Sequence, residues 1–191
     1  MQVFSVVVRD SAIGQPGEGH ATSRQDDCPL CHRTPDPVVN QVDYRLTSWD
    51  WEEWFLLDGA HVVSKRVQQR LAVERGIAWR PARVTAEGLE LFPFFQVQHA
   101  PVVRPWPPLV HEWFCEACAT TSLSLSERGQ LCLGRQRLVV SLGSWGDLKV
   151  GSQPGWPWLL VRDDVAASLA ALKVKNVDYI EVDFEDEEAI G

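Results

Sequence analysis

LLVRDDVAASLAALKVKNVDYIEVDF, at residues 159–184, carries the clearest structural pattern in the sequence. A short apolar run precedes Asp163 and Asp164, either of which can cap a helix. Apolar side chains then recur at helical spacing as far as Leu172, and an extended, alternating stretch closes the segment. This segment therefore predicts a strand, a helix with one apolar face and a second strand.

An earlier segment, HVVSKRVQQRLAVERGIAWRPARV at residues 61–84, has the same pattern. Ser64 is a good N-cap, and Gly76 is expected to end the helix. Three apolar positions correspond in the two segments: Val63 with Val161, Val67 with Val165, and Leu71 with Leu169. Two strand–helix–strand units of this kind predict one α+β domain over residues 1–191, with an antiparallel or mixed sheet, and they are consistent with an internal duplication.

The composition is that of a folded chain, with 191 residues, 45% hydrophobic and 23% charged. The formal net charge is -8, and residues 181–191 are strongly acidic. Such a chain repels phosphate backbones, which argues against nucleic acid as a direct partner, and it attracts basic proteins. The acidic end is expected either to fray as a solvated tail or to take part in such attraction.

The opening sequence MQVFSVVVRDSA reads as a β-strand, because its apolar run is too short for a signal peptide. No stretch approaches the roughly 20 apolar residues that a membrane-spanning helix needs. We therefore expect a cytoplasmic protein without membrane insertion. In that compartment paired cysteines more often bind metal or do redox chemistry than form disulfides.

Two cysteine pairs with a two-residue gap, Cys28 with Cys31 and Cys115 with Cys118, have the spacing of metal-binding knuckles. Four thiolates complete a tetrahedral zinc shell without an open position, which is a structural rather than a catalytic site. The intervening residues 32–114 then form a long insertion, which is tolerable because loop-closure entropy grows only logarithmically with length. The pairs predict a structural zinc site.

Other interpretations of the cysteines stay open. Each pair could be a redox dithiol, although neither follows the strand–helix pattern of thioredoxin-like motifs, or the pairs could be buried thiols that never meet. His32 and His111 are near enough in sequence to replace a thiolate, but surface positions are the simpler expectation. The fifth cysteine, Cys132, lies between two leucines and is expected to be buried.

The sequence contains no familiar catalytic motif. GQPGEGH, at residues 14–20, has the glycines of a phosphate-binding loop but not its lysine or its strand–helix context. The carboxylates of DWEEW, at residues 50–54, are explained more simply by a solvated loop or helix start than by acid–base catalysis. These observations favour a binding protein over an enzyme.

Two cysteine pairs around a central strand and helix, followed by DLKVG and the closing strand–helix–strand segment, resemble the myxobacterial double-CXXCG motif proteins. That group includes immunity proteins paired with swarm-inhibition toxins. The family motif has glycine after the second cysteine of each pair, and His32 and Ala119 stand there in this chain. The cysteines of the family motif correspond to Cys28, Cys31, Cys115 and Cys118 in this chain.

The resemblance implies an immunity protein that binds and neutralises a cognate toxin, which we expect to be basic. Aromatic anchors and charge steering dominate such interfaces. The candidate partner-binding residues are Trp49, Trp51, Glu52, Glu53 and Trp54. At least half of the tryptophans are nevertheless expected to be core residues. The alternatives are a zinc-dependent or thiol-redox enzyme and a zinc-ribbon adaptor protein.

Overall fold

The computed structural model of the protein describes residues 2–9, 14–23, 26–32, 38–47, 53–57, 59–91, 93–101, 103, 115, 117, 123–125, 131–133, 136–137, 139–141, 145, 147–152 and 159–185. In chain order the elements are β1 (Val3–Val8), β2 (Gly14–Pro16), β3 (Ala21–Ser23), β4 (Val38–Gln41), β5 (Asp43–Leu46), β6 (Trp54–Leu57), β7 (Ala60–Ser64), α1 (Lys65–Leu71), β8 (Ala78–Ala86), β9 (Leu89–Glu90), β10 (Phe94–His99), β11 (Leu123–Leu125), β12 (Leu131–Leu133), β13 (Gln136–Arg137), β14 (Val139–Ser141), β15 (Val150–Ser152), β16 (Leu159–Arg162), α2 (Asp163–Ala171) and β17 (Val177–Glu185).

A five-stranded sheet contains both the first and the last strand of this series, in the order β14-β17-β1-β16-β15. β14 and β17 run parallel, and the three remaining neighbours are antiparallel. The central strand is β1, which pairs with β17 on one side and β16 on the other. The first strand of the chain thus completes a sheet whose other strands all lie beyond residue 138.

A larger sheet has the order β2-β5-β8-β10-β7-β6, with β9 paired to β8. β5 and β8 are parallel, and the other pairs are antiparallel. Two small sheets complete the described part of the chain, β11-β12-β13 and β3-β4. The fold is therefore mixed α+β, as the sequence predicts, and it is rich in sheet.

The two main sheets share one five-strand arrangement. We call β5, β6, β7, α1, β8 and β10 the first unit, and β14, β15, β16, α2, β17 and β1 the second unit. In each unit a helix follows one inner strand and leads to another, and a third strand lies between these two, antiparallel to both. The outer strands also agree, one parallel and one antiparallel to its neighbour.

The agreement extends to the register of the central strands. Equivalent residues face equivalent partners, so that Phe95 lies opposite Val63 and Pro81, and Phe4 lies opposite Val161 and Glu181. The partners' residue numbers differ by 98 before the helix and by 100 after it. The helices account for this change, because α1 has 7 residues and α2 has 9.

One hydrophobic core joins the two units. The six positions matched in the sequence are all fully buried and belong to it: Val63, Val67, Leu71, Val161, Val165 and Leu169. Equivalent side chains from the central strands, Phe4 and Phe95, pack against the same cluster, and α1 contacts α2. Burial of each aliphatic side chain of this size stabilises the fold by about 1.5–3 kcal/mol.

A second hydrophobic core combines buried side chains of the first unit with Val39 and Val42, which lie outside it. The ring centroid of Phe55 is 5.6 Å from that of Tyr44 and 5.7 Å from that of Phe94, and all three side chains are buried. Val39 of β4 belongs to this cluster, so β4 covers the unit on this side. The amide of Gln96 donates to the Val39 carbonyl at 2.8 Å, which fixes the cover to the central strand.

The helix ends differ from two of the expectations. Ser64 caps α1 as predicted, since its Oγ accepts from the N–H of Val67 at 3.4 Å. The N-cap of α2, however, is Arg162, which makes no side-chain capping bond, and Asp163 and Asp164 occupy the first turn, where negative charge is favourable. The prediction of an aspartate cap is therefore wrong.

Gly76 does not end α1, which stops at Leu71 with Ala72 as its C-cap. The glycine lies in the turn before β8 with φ of +89°, a left-handed angle that glycine adopts at low cost. Asn176 holds the equivalent position before β17, with φ of +59°. Among the described residues, neither helix is long or apolar enough to span a bilayer.

Candidate metal centre

The first cysteine pair forms a tight turn through Pro29 and Leu30. The N–H of His32 donates to the carbonyl of Cys28 at 2.8 Å, and His32 has φ of +57°. A left-handed residue with this bond closes the turn in the manner of a helix C-cap. His32 therefore adopts the backbone conformation that glycine provides at lower cost, at the position where the double-CXXCG motif has glycine.

Three sulfurs from two distant loops converge. The Sγ atoms of Cys28, Cys31 and Cys115 all lie within 4.8 Å of one another, and those of Cys28 and Cys115 are 3.6 Å apart. Cys28 and Cys115 are buried, and Cys31 is partly buried. Residues separated by more than 80 positions in sequence therefore meet at one point in the fold.

The spacing of these sulfurs fits a thiolate-bound metal ion. A tetrahedral zinc site with Zn–S bonds of about 2.3 Å places its sulfurs about 3.8 Å apart. A disulfide would need about 2.05 Å, and none of the three cysteines is in a disulfide bond. Thiolates are soft donors that favour Zn²⁺, Cu⁺ or iron–sulfur chemistry over Mg²⁺ and Ca²⁺.

The other predicted ligands are accounted for as follows. Cys118 and His111 lie outside the described residues. His32 has an exposed side chain and is not a member of the cluster. Cys132 lies in β12, where its backbone faces Ser124 and Arg137. The described cluster thus contains three of the four predicted thiols and no imidazole.

Among the candidate partner-binding residues, Trp49, Trp51 and Glu52 also lie outside the described residues. Trp54 is fully buried, and its Nε1 donates to Nδ1 of buried His61 at 2.8 Å. Trp54 belongs to the core that joins the units. Trp54 is therefore a core residue and not a surface anchor. Core burial is what the sequence led us to expect for at least half of these tryptophans.

Glu53 holds the start of α1. Its carboxylate accepts from Ser64 Oγ at 3.0 Å and from Arg66 Nε at 2.9 Å, and Arg66 also donates through Nη2. Partial burial acts to raise the pKa of Glu53, but the hydrogen bonds from Arg66 and Ser64 and the charge of Arg66 outweigh it, so the pKa lies below its usual value. No sequence motif indicates the contact of Glu53 with Ser64 and Arg66.

The glycine-rich segment at residues 14–20 wraps around a buried carboxylate. Asp43 accepts from the N–H of Gly19 at 2.9 Å, while its own carbonyl accepts from the N–H of Gly17 at 2.8 Å. A side chain at Gly17 would lie 2.4 Å from the Asp43 carboxylate, so only glycine fits there. These glycines thus pack against the protein's own aspartate.

No protein-family model matches the sequence, and no curated protein matches it either. The site's chemistry must therefore be inferred from its residues.

Proposed function

We propose that this chain is a metal-braced binding protein, an immunity protein that holds a cognate toxin in the cytoplasm, with a structural zinc ion bound by Cys28, Cys31, Cys115 and Cys118. The observation that carries the metal assignment is the convergence of three sulfurs from two distant loops. Thiolates so close together repel one another unless a cation neutralises them. Zinc does so and lowers their pKa values.

A closed four-thiolate site supports a binding function. Such an ion has no open position for water or substrate, so it stabilises structure and does not turn over. Cys28 and Cys31 lie between β3 and β4, and Cys115 lies between β10 and β11, so one ion would hold these two distant segments together. The matching of the two units further supports an internal duplication as the origin of the fold.

The acidic charge and the resemblance to double-CXXCG proteins support the choice of partner. With a formal net charge of -8, the chain would attract a basic toxin and accelerate encounter at low salt. Trp49, Trp51 and Glu52 remain the proposed contact residues. An immunity protein acts by occupying a toxin surface and needs no catalytic group of its own.

The metal assignment is tested by elemental analysis of the purified chain and its variants. We expect one zinc per chain, retained through gel filtration and removed by a strong chelator with loss of cooperative unfolding. Cys28→Ser and Cys115→Ser should lose the ion, whereas Cys132→Ser should keep it. Full metal content in Cys28→Ser would overturn the assignment.

The partner assignment needs the protein toxin itself. Calorimetry with the product of a neighbouring toxin gene should give one-to-one binding that weakens as salt rises. Trp51→Ala should weaken binding while leaving zinc content and unfolding unchanged, and Leu89→Ala, at a site that is 62% exposed, serves as a surface control. Absence of a complex at micromolar concentrations would exclude this partner while leaving the metal site intact.

A second candidate, a thiol-redox protein, is favoured by one observation, the 3.6 Å between the sulfurs of Cys28 and Cys115. Loss of two electrons and two protons to an external disulfide would join these sulfurs with small movement. The two functions differ in their response to metal. Rapid thiol modification in the zinc-loaded protein, with reversible cycling by a dithiol reductant, would favour the redox function over the structural site.

A further inference from the structure

β1 holds the place in the second unit that β10 holds in the first. In the first unit, β8 reaches β10 through a short connection that contains β9. In the second unit the equivalent strand comes from the opposite end of the described chain. Val3, Ser5 and Val6 of β1 are nonetheless fully buried, and β1 hydrogen-bonds to strands on both sides.

We propose that β1 is the displaced last strand of the second unit, and that β16 and β17 form a strand-binding slot which the start of the chain fills. The chain is then two copies of one unit, joined in tandem and permuted so that the final strand of the second copy comes first.

The residue register of β1 and β10 supports the proposal more strongly than their place in the strand order does. Both sides of β1 align with both sides of β10 under one numbering shift, with Phe94, Phe95, Gln96 and Val97 equivalent to Val3, Phe4, Ser5 and Val6. A slip of one residue in any of the four ladders would turn the side chains to the opposite face of the sheet. The one departure is a bulge in β10 between Val97 and His99.

Contacts between the units follow the same equivalence. Asn176, before β17, donates through Nδ2 to the carbonyl of Trp54 on β6 at 3.0 Å. Gly76, at the equivalent place before β8, lies against Pro101, because a Cβ there would be 2.6 Å from Pro101 Cγ. The Pro101 carbonyl in turn accepts from Ser152 on β15, which is equivalent to β6. Asn176 thus reaches the outer strand of the first unit directly, whereas Gly76 reaches the outer strand of the second unit only through Pro101.

Circular permutation of the full chain tests the proposal. Joining Gly191 directly to Met1 leaves eleven residues between Val182 and Val3, the same number that separates Ala82 from Phe94. In the restored-order permutant, a new start at Gly14 and a new end at Arg9 place β1 directly after β17. We expect its urea midpoint, circular dichroism and metal content to equal or exceed those of the parent.

Two matched permutants with the same joined ends complete the test. One is opened in the first unit between Glu87 and Gly88, which reproduces there the break that the natural chain has in the second unit, and it should also fold cooperatively. The other is opened inside β16, between Leu160 and Val161, and should not fold. Failure of either of the first two to fold overturns the proposal, because equivalent units must accept equivalent breaks. Folding of the third permutant to the same stability also overturns the proposal. The chain would then accept a break inside a central strand as well, and the first two results would not show that the units are equivalent.

Discussion

The two units build the same core from the same positions, but they cover their outer faces differently. In the first unit Phe55 and Gln96 engage a covering strand, and the Gln96 amide bonds to Val39. In the second unit the equivalent positions hold Gly151 and Ser5, and Val103 and Trp145 pack where a side chain at Gly151 would extend. The two units therefore share the positions that form the common core, whereas different side chains cover their outer faces.

The polar contacts of the helices differ in the same way. α1 begins at Ser64, which bonds to both Val67 and Glu53, while α2 begins at Arg162 without a side-chain cap. Lys149 compensates in the second unit by pairing with Asp164 at 3.0 Å. Hydrophobic burial and strand register therefore define what the units have in common, and side-chain hydrogen bonds define where they differ.

The largest expected effect tests the shared core. Leu71→Ala and Leu169→Ala each remove a fully buried side chain from the cluster that joins the units, and each should destabilise by about 2–5 kcal/mol. Urea unfolding measures both, with Val73→Ala, at a site 74% exposed, as a control that changes little. A large effect at one leucine and none at the other would break the equivalence.

Substitutions at the two helix N-caps should have smaller effects on stability, and the two effects should differ. Ser64→Ala removes a capping bond and should destabilise by about 1 kcal/mol. Arg162→Ala removes none and should change stability by less than half of that. Thermal or urea unfolding of the two variants compares them, and equal losses would show that the capping difference has no energetic meaning.

The Glu53 contact at the start of α1 should make stability depend on pH. The pKa of Glu53 is lowered in the folded protein, so its ionised form stabilises the fold above the ordinary carboxyl range, and this contribution is lost as pH falls through that range. Glu53→Gln should therefore be less stable than the parent at neutral pH, by less than about 1 kcal/mol because Arg66 is half exposed, and the gap should close in acid. Glu18→Gln, at a carboxylate that is 94% exposed, is the control and should change stability little.

The smallest effect at neutral pH concerns equivalent aromatic residues, Trp79 and Tyr179, which both pack against the shared core. Burial raises the pKa of Tyr179 to about 12. Folding then disfavours its phenolate, so stability present below the ordinary pKa of about 10 declines as pH rises toward 12. Ultraviolet titration of a Tyr44→Phe variant isolates this group, and ionisation near pH 10 in the folded state would contradict its burial.

Much of the shared core could be predicted from sequence, because helical spacing identifies the side chains that one face must bury. Val63, Val67 and Leu71 and their counterparts were found in this way, as was the Ser64 cap. The role of β1 could not, since pairing between residues 3–8 and 177–182 is a long-range contact without local signal. The signal that exists is faint: FFQV at 94–97 and VFSV at 3–6 share the pattern of Phe, polar residue and Val.

The metal cluster was predictable in part for a similar reason. The two-residue gap indicates a turn that aims both thiols at one ion, and the convergence of Cys28, Cys31 and Cys115 is the outcome that this spacing predicts. The left-handed angle at His32 could not be read from an imidazole side chain. Local spacing identifies the ligands, while the backbone conformation that supports them depends on the closed turn.

The position of β1 also has a consequence during synthesis. β1 is synthesised before the other described strands, yet both of its neighbours in the sheet appear more than 150 residues later. At about 5–20 residues per second, β1 waits roughly 8–30 s for its partners, long after the first unit could have closed around its own central strand. Nascent chains stalled before residue 159 should therefore keep β1 accessible to chaperones, so the late arrival of β16 and β17 sets the time at which the molecule can become complete.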